Sequence, residues 1–312
     1  MTDIVTITPN PAVDVSTEVE KIVPIMKLRG RAARRDAGGG GINVARVITR
    51  FGGDVTAVYP VGGATGALLN RLVAREGVAS LTFPSNEETR EDFFVQEAAT
   101  GQPYRFILPG PTLSESEWQS CLKLLADIRP FPRYVVGSGS LPHGVPADFY
   151  GQIAKLAHER GAKFMLDTSG PALTAAVDAG VDLIKPSLRE MRELAGGELG
   201  DALAWEAAAR ALVHSGKVET VALTMGHLGA VLVTHDRVLR AQPLPITPVS
   251  AVGAGDSFLG VLIARLAAGA ALDEAFRWAV AAGAAALLHT GTALCDPADV
   301  RRLAAEVIVE VA

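Results

Sequence analysis

Cysteine is scarce in this chain, with Cys121 and Cys295 the only two among 312 residues. They form no metal-ligand pattern, so buried free thiols in a cytosolic protein are expected. Runs of basic charge are missing too. The 29 Lys and Arg are scattered against 34 Asp and Glu, a formal net charge of −5. That balance excludes a nucleic-acid footprint and attraction to an anionic membrane. The opening Met1-Thr2-Asp3-Ile4-Val5 has neither a cationic start nor an apolar core, so no targeting segment is expected there. The longest uncharged apolar run, residues 278–288, is too short and too rich in Gly and Ala to span a bilayer. Sequence repeats and low-complexity linkers are absent. The expectation is a cytoplasmic protein with no nucleic-acid or membrane partner.

What the chain does have is core: 49% of its residues are hydrophobic. That supports one large α/β domain with a smaller appendage, or two domains. Short apolar stretches at residues 4–8, 55–59, 134–137, 163–166, 183–184 and 220–223 read as strands. Helical patterns lie between them, as at 148–160 and 205–215, and Gly52-Gly53 stops the one carrying Val44, Val47, Ile48 and Phe51. This alternation predicts a mainly parallel sheet flanked by helices, with a ligand crevice at the strand C-termini. Residues 12–35 and 90–108 break the rhythm. The second reads as two β-rich runs joined at Thr100-Gly101-Gln102. Together they predict a β lid rising from a main domain of residues 1–11, 36–89 and 109–312. The lid's exposed strands need cover, which a twofold partner would supply, so a homodimer through the lid is expected.

Four constellations carry chemistry. Val252-Gly253-Ala254-Gly255-Asp256-Ser257-Phe258 places three small residues and a carboxylate before an apolar helix. Converging N–H groups and a helix dipole would attract a phosphate or developing oxyanion, with Asp256 able to take a proton from a hydroxyl; an Asp N-cap on an ordinary helix is the plainer alternative. Gly38-Gly39-Gly40-Gly41-Ile42-Asn43 would let backbone approach a ligand, with Asn43 offering donor and acceptor to a polyol, or would be a flexible turn. Lys185-Pro186-Ser187-Leu188-Arg189-Glu190 reads as a helix opened by Pro186, whose Lys and Glu could meet a nucleotide phosphate and hydrated Mg²⁺, or as surface charge. Thr224-Met225-Gly226-His227-Leu228-Gly229 follows a strand and would wrap nucleotide phosphates or ribose, or simply turn a hairpin. Lys27, Arg29, Arg90 and Arg105 fall in the lid segments. Arg105 alternates with Tyr104 and Phe106, so its guanidinium has a defined face and suits a substrate phosphate.

In this order and spacing the motifs resemble the PfkB family of carbohydrate kinases, which has the ribokinase-like fold, over essentially the whole length. Thr8-Pro9-Asn10-Pro11-Ala12-Val13-Asp14, Gly137-Ser138-Gly139-Ser140-Leu141-Pro142 and Asp167-Thr168-Ser169-Gly170 complete the match. Within the family, Lys27-Leu28-Arg29, residues 38–46, residues 60–66 and Tyr104-Arg105-Phe106 are most similar to the minor-type 6-phosphofructokinases, with tagatose-6-phosphate kinases as neighbours. The resemblance implies ATP-dependent phosphorylation of fructose 6-phosphate, or a close phosphosugar, at its C1 hydroxyl. It implies Asp256 as general base and Gly253, Ala254 and Gly255 as an anion hole. Asp14, Gly39, Gly40, Gly41, Asn43 and Ser138 would hold the sugar. Lys27, Arg29, Arg90 and Arg105 would grip its phosphate, some from a partner's lid. Lys185, Ser187, Thr224, Gly226 and Gly229 would contact ATP, and Glu190 would organise Mg²⁺ through water. A K⁺ site would draw on Ser250, Val252, Ala286, His289, Gly291 and Ala293, largely through carbonyls.

Three departures from the family pattern bear on this. Position 187 is Ser where the family usually has Asn. His289 and Ala293 differ from the nearest relatives in the cation loop, a change that a site made of carbonyls survives. Asn10-Pro11 is more similar to the start of 1-phosphofructokinases, which keeps that substrate and tagatose 6-phosphate as alternatives. A sugar-phosphate-binding regulator with a kinase fold is the non-enzyme alternative; the presence of Asp256, Glu190 and Lys185 argues against it.

Overall fold

The computed structural model describes residues 3–249, 252–289 and 293–311. In chain order, the first half gives β1 (Ile4–Ile7), β2 (Ala12–Val19), β3 (Arg34–Gly38), α1 (Gly40–Arg50), β4 (Val55–Val61), α2 (Gly63–Arg75), β5 (Ala79–Pro84), β6 (Arg90–Glu97), β7 (Pro103–Phe106), α3 (Glu115–Asp127), β8 (Tyr134–Ser138) and α4 (Phe149–Glu159). The second gives β9 (Lys163–Asp167), α5 (Gly170–Ala179), β10 (Val181–Ile184), α6 (Leu188–Ala195), α7 (Ala202–His214), β11 (Val218–Thr224), β12 (Ala230–Val233), β13 (Val238–Ala241), α8 (Ala254–Ala267), α9 (Leu272–Ala286), α10 (Pro297–Ala304) and β14 (Val309–Val311).

Ten strands form one sheet in the order β14-β13-β12-β11-β10-β9-β8-β1-β4-β5. From β5 to β11 every pairing is parallel. The last three strands run antiparallel, because the Gly226–Leu228 turn doubles β11 back onto β12. Strands such as β1 (IVTI) and β8 (YVVGS) are nearly continuous apolar runs, as a sheet covered on both faces requires. Two apolar clusters lie on opposite faces: Val44, Val47, Leu259 and Ala282 belong to one, Phe149, Ile153, Trp205 and Val213 to the other. The uncharged 278–288 run lies mostly in α9, which packs against α8, and no described helix is long and apolar enough to cross a membrane.

A second sheet, β3-β2-β6-β7, is built from the segments that interrupt the rhythm. Its strand β3 runs on to Gly38, three residues past the lid boundary read from sequence. Residues 20–33 connect β2 to β3 without regular structure. There Val23, Ile25, Met26 and Leu28 are exposed, as are Phe106 and Ile107 at the end of β7.

Helix α8 reaches the sheet edge because glycine clears its path. A Cβ on Gly260 would sit 2.8 Å from the Val47 side chain, so α1 and α8 touch almost backbone to side chain. That close approach brings Asn43, at the start of α1, within reach of Asp256, at the start of α8.

Candidate active site

The C-terminal ends of β1, β8, β9, β10 and β11 share one edge of the large sheet, and the polar side chains gather there. Gly253 is the N-cap of α8, at φ 76°, so a left-handed backbone begins the helix. A Cβ there would also meet the Leu294 side chain at 2.9 Å. Asp256 is the third residue of the helix, in its first turn, and not its N-cap. The first N–H groups of α8 have no intrahelical acceptor and point out of the helix end. Ser257 is the first to donate back along the helix, to Gly253 O at 2.9 Å.

Lys185 packs beside Gly255. A Cβ on Gly255 would lie 3.1 Å from Lys185 Nζ, so the ammonium occupies the space beside the helix end. Lys185 is only 6% exposed and pairs with Asp167 Oδ1 at 3.2 Å. Burial, the largest influence, would lower its pKa, but Asp167, Asp256 and Glu190 together outweigh it and raise the pKa, so Lys185 stays charged. Asp167 itself is pushed up by burial and pulled back by Lys185, with a net rise. The site thus holds a buried cation against the positive end of a helix, an arrangement made tolerable by the Asp167 carboxylate and suited to an incoming anion.

Asp256 Oδ2 accepts from Asn43 Nδ2 at 2.9 Å. Its pKa is pushed up to about 6, by burial first and by Asp167 second, against the pull of Asn43, Lys185 and Arg46. A carboxylate poised there is ionised at neutral pH yet basic enough to take a hydroxyl proton. Asn43 Oδ1 in turn accepts from Arg46, which also binds Ala37 O and Glu76.

The four-glycine stretch serves packing. Cβ atoms on Gly38, Gly40 and Gly41 would run into Asp14 Oδ1 at 2.4 Å, Ser138 Oγ at 2.2 Å and Thr8 Oγ1 at 2.5 Å. Gly39 takes φ 107° against Thr8 and Pro11. The directions a side chain would take from these glycines are filled by protein, which leaves their backbone as what a ligand could meet. Those same close approaches bring Asp14 against Gly38 and Ser138 against Gly40, three residues before Asn43.

Asp14 is buried in β2, in register with Asp36 of β3 and Asp92 of β6. Burial, then Asp92, push its carboxyl up to about 7, with Arg46 and Arg105 opposing and Asp36 adding. Arg105 lies with its guanidinium 4.8 Å from the centre of the Phe94 ring, its β6 partner in register. Arg90 donates to Leu108 O at 3.0 Å and Asn10 O at 3.3 Å, and its Nε is buried with no partner among the described residues. It forms part of the wall of a cleft of about 460 Å³, together with Asn10, Ser140, His143 and Ser169. Asp256 is not in that wall. Lys27 and Arg29 stand exposed on the 20–33 connection, away from any such contact.

The third and fourth constellations meet. Thr224 N donates to Pro186 O at 3.0 Å, and Ser187 bridges Thr224 across β10 and β11. Pro186 does not open the helix, as the sequence suggested: α6 starts at Leu188, capped by Ser187. Glu190 Oε2 accepts from both Ser187 N and Ser187 Oγ at 2.8 Å, a reciprocal capping box. Serine at 187 therefore has a local reason. Glu190 Oε1 lies 3.6 Å from Arg189 and keeps lone pairs for a metal-bound water. Gly229 takes φ 91° where a Cβ would strike Ala241 O at 2.1 Å, and Gly226 takes φ 59° in open space.

Of the cation-loop residues, Ser250 and Gly291 lie outside the described residues. Ala286 is buried and its carbonyl accepts from His289 N at 3.4 Å, while Val249 N donates to Leu287 O at 2.7 Å. Ala293 O lies 3.6 Å from where a Gly253 Cβ would be, which places Ala293 beside Val252 and the start of α8. His289 turns its ring to Asp299 at 3.2 Å, so its imidazole is engaged elsewhere and only its backbone is offered. No cluster of three or more His, Cys, Asp or Glu side chains that could hold a metal ion occurs among the described residues.

Sequence reasoning passed over Arg46, Glu76 and the pairing role of Asp167. A buried arginine on the apolar face of α1, three residues after Asn43, is the signal that would have found the first.

The chain is similar to known proteins over nearly its whole length. The ATP-dependent 6-phosphofructokinase isozyme 2 of Mycobacterium tuberculosis is 44% identical over 306 residues, covering 97% of this chain and 90% of the relative. Crystal structures of the phosphofructokinase-2 of Escherichia coli superpose with TM-scores of 0.94, in complex with potassium, and 0.93, in complex with substrates and products. They are 39% and 38% identical, covering 98% of this chain and 99% of each. The ribokinase of Arabidopsis thaliana shares the fold, with a TM-score of 0.76 at 20% identity over 97% of this chain and 99% of its own. Residues 2–299 match the pfkB family carbohydrate kinase, and the chain belongs to that family, with its ribokinase-like α/β fold.

Proposed function

We propose that this enzyme transfers the γ-phosphoryl group of ATP to the C1 hydroxyl of fructose 6-phosphate, giving fructose 1,6-bisphosphate and ADP. One observation carries the chemistry: Asp256, ionised but with its pKa at about 6, stands in the first turn of α8 beside the Lys185 ammonium. The base and the anion site are thus adjacent, as in-line phosphoryl transfer needs. The names of the relatives carry the substrate.

Asp256 takes the proton of the C1 hydroxyl as its oxygen bonds to Pγ and the bond from Pγ to the β,γ-bridging oxygen breaks. The N–H groups at Gly253, Ala254 and Gly255, with Lys185, stabilise the charge on the transferring group. Asp14, Asn43, Ser138 and the backbone at Gly39, Gly40 and Gly41 hold the sugar. Arg105 and the unpartnered Nε of Arg90 take its phosphate, joined by Lys27 and Arg29. Ser187, Thr224, Gly226 and Gly229 line the nucleotide's path at the ends of β10 and β11. Mg²⁺, held through water by Glu190, would supply charge neutralisation on the β- and γ-phosphates. K⁺ would sit among the carbonyls of Ser250, Val252, Ala286, His289, Gly291 and Ala293, which leaves the His289 ring free for Asp299.

The second sheet acts as a lid and as the surface of a homodimer. Its exposed Val23, Ile25, Met26 and Leu28 supply apolar area that a second lid would cover.

The test is Asp256→Asn in a coupled ADP-release assay. We expect kcat to fall on the order of 10²–10⁴-fold with phosphosugar binding retained. Near-wild-type turnover would remove Asp256 as base. Running fructose 6-phosphate, tagatose 6-phosphate and fructose 1-phosphate side by side fixes the substrate; binding without ADP release from any would favour a regulator.

A further inference from the structure

Behind the base runs a chain of polar groups whose far members, Arg46 and Glu76, have no place in the proposed ligand sites. Glu76 Oε1 accepts from Arg46 Nη2 at 2.7 Å, and Arg46 Nη1 donates to Asn43 Oδ1 at 3.0 Å. Asn43 Nδ2 then donates to Asp256 Oδ2 at 2.9 Å. Nη1 also binds Ala37 O at 2.7 Å, and Arg50 holds the second oxygen of Glu76 at 3.0 Å. Arg46 is 1% exposed. Burial would raise the pKa of Glu76, but Arg46 and Arg50 outweigh it and hold the carboxyl below its ordinary range. The chain is therefore charged at its far end.

The chemistry of the four groups fixes the direction of every bond. A guanidinium can only donate, so Arg46 accepts one orientation of the Asn43 amide, with its oxygen inward. The amide's N–H groups must then face Asp256, and an N–H can be received only by an oxygen with a lone pair to offer. Without Arg46 the amide could turn over and present oxygen to the carboxyl, which would favour the protonated acid.

We propose that Arg46 is a positioning residue for the base: anchored by Glu76 and the Ala37 carbonyl, it locks the Asn43 carboxamide so that its N–H is directed at Asp256. The proposal rests on the reading of Asp256 as the base. The groups that set the charge state of Asp256 are Asp167 from β9, Lys185 at the end of β10, and Asn43 and Arg46 from α1. Only the last two belong to this chain of bonds, and both favour the ionised form.

The experiment compares Arg46→Met, Arg46→Lys and Glu76→Gln with wild type by two readouts. One is the acid limb of the kcat–pH profile. The other is the carboxyl ¹³C titration of Asp256 in protein labelled at aspartate, with Asp256→Asn used for assignment. In wild type the ¹³C midpoint of the free enzyme is expected near pH 6, and the kcat limb reports the same carboxyl in the substrate-bound complex. In Arg46→Met we expect both to move up by about one pH unit, so that kcat at pH 6 drops roughly tenfold relative to its plateau. Arg46→Lys, which keeps a donor, should recover part of the shift, and Glu76→Gln should move the midpoint the same way by less. A folded Arg46→Met with an unmoved ¹³C midpoint overturns the proposal. If that variant does not fold, unmoved midpoints in both Glu76→Gln and Arg46→Lys overturn it. Should Asp256→Asn retain turnover, the base reading fails, and the ¹³C midpoint still decides the role of Arg46.

Discussion

The floor of the site and the lid above it are finished to different degrees. On the floor every charge has its partner: Asp256 with Asn43, Lys185 with Asp167, Arg46 with Glu76. In the lid Lys27 and Arg29 stand in solvent and a set of apolar side chains is uncovered. The difference follows from what each region must do. Charge stabilisation is strongest where donors are fixed before the reaction and water is excluded, so the floor is preorganised. On the proposed reading a phosphosugar has to enter and leave, so the groups proposed to grip its phosphate belong to a lid that would close over it.

Breaking the floor should have the largest effect. Lys185→Met leaves Asp167 buried and unpaired, which should destabilise the fold by about 3–5 kcal/mol. The deficit has a pH signature. Asp167 already has a raised pKa, and without Lys185 it rises further, so protonation relieves the strain in acid. Thermal unfolding at pH 5 and pH 8 should therefore show the variant closer to wild type at pH 5. An equal gap at both would mean that the ion pair is not what the floor relies on.

Asp14 tests the boundary between the regions, since it belongs to the lid sheet yet points at the floor through Gly38. Its carboxyl titrates at about 7 in the folded protein, well above its ordinary value. The folded state then holds the proton more tightly than the unfolded chain. Stability from this group is full below the unfolded pKa and is lost as pH rises through the folded one, near 7. Asp14→Asn cannot ionise, so it should be more stable than wild type by about 2–4 kcal/mol at pH 8, with the gap closing by pH 4. Urea unfolding at both pH values measures this. Sugar affinity should fall, the cost of removing a group kept for function.

How far the floor and the lid were legible beforehand depends on where their partners lie in the chain. The Gly253-to-Asp256 turn and the strand–helix alternation are local patterns, and both were readable. The Asp256–Asn43 bond spans 213 positions, and the Arg46–Glu76 pair joins two helices that only sheet order brings together. No periodicity encodes such pairs. The glycine run has a packing reason that no local pattern shows: the space beside it is taken by Thr8, Ser138 and Asp14. The antiparallel β12 and β13 follow β11 with no helix between them, so the alternation that announced the parallel strands could not announce these, and β14 is three residues long and follows three helices.

The lid's unfinished surface can be sharpened next. Ile25 is fully exposed and takes φ 69°, a left-handed backbone that a β-branched residue rarely adopts. If a second lid covers it, Ile25→Asp forfeits about 1.5–3 kcal/mol of apolar burial and should weaken the dimer at least tenfold, read by sedimentation. An unchanged association constant would place the contact elsewhere.

The smallest effect, and the one that separates lid from floor most cleanly, belongs to Arg105. Its guanidinium rests over Phe94, and that stacking fixes its plane before any phosphate arrives. Its charge is felt at Asp14 and Asp92, and it is not among the groups that shift the pKa of Asp256. Arg105→Ala should therefore raise KM for the phosphosugar about tenfold, the worth of one charge-assisted hydrogen bond, and leave kcat near wild type. Asp256→Asn should do the reverse. Arg105→Lys should recover little, because an ammonium neither stacks on the ring nor forks onto a phosphate. If instead Arg105→Ala lowers kcat and KM stays put, the lid takes part in the chemical step, and the division between a finished floor and a gripping lid is wrong.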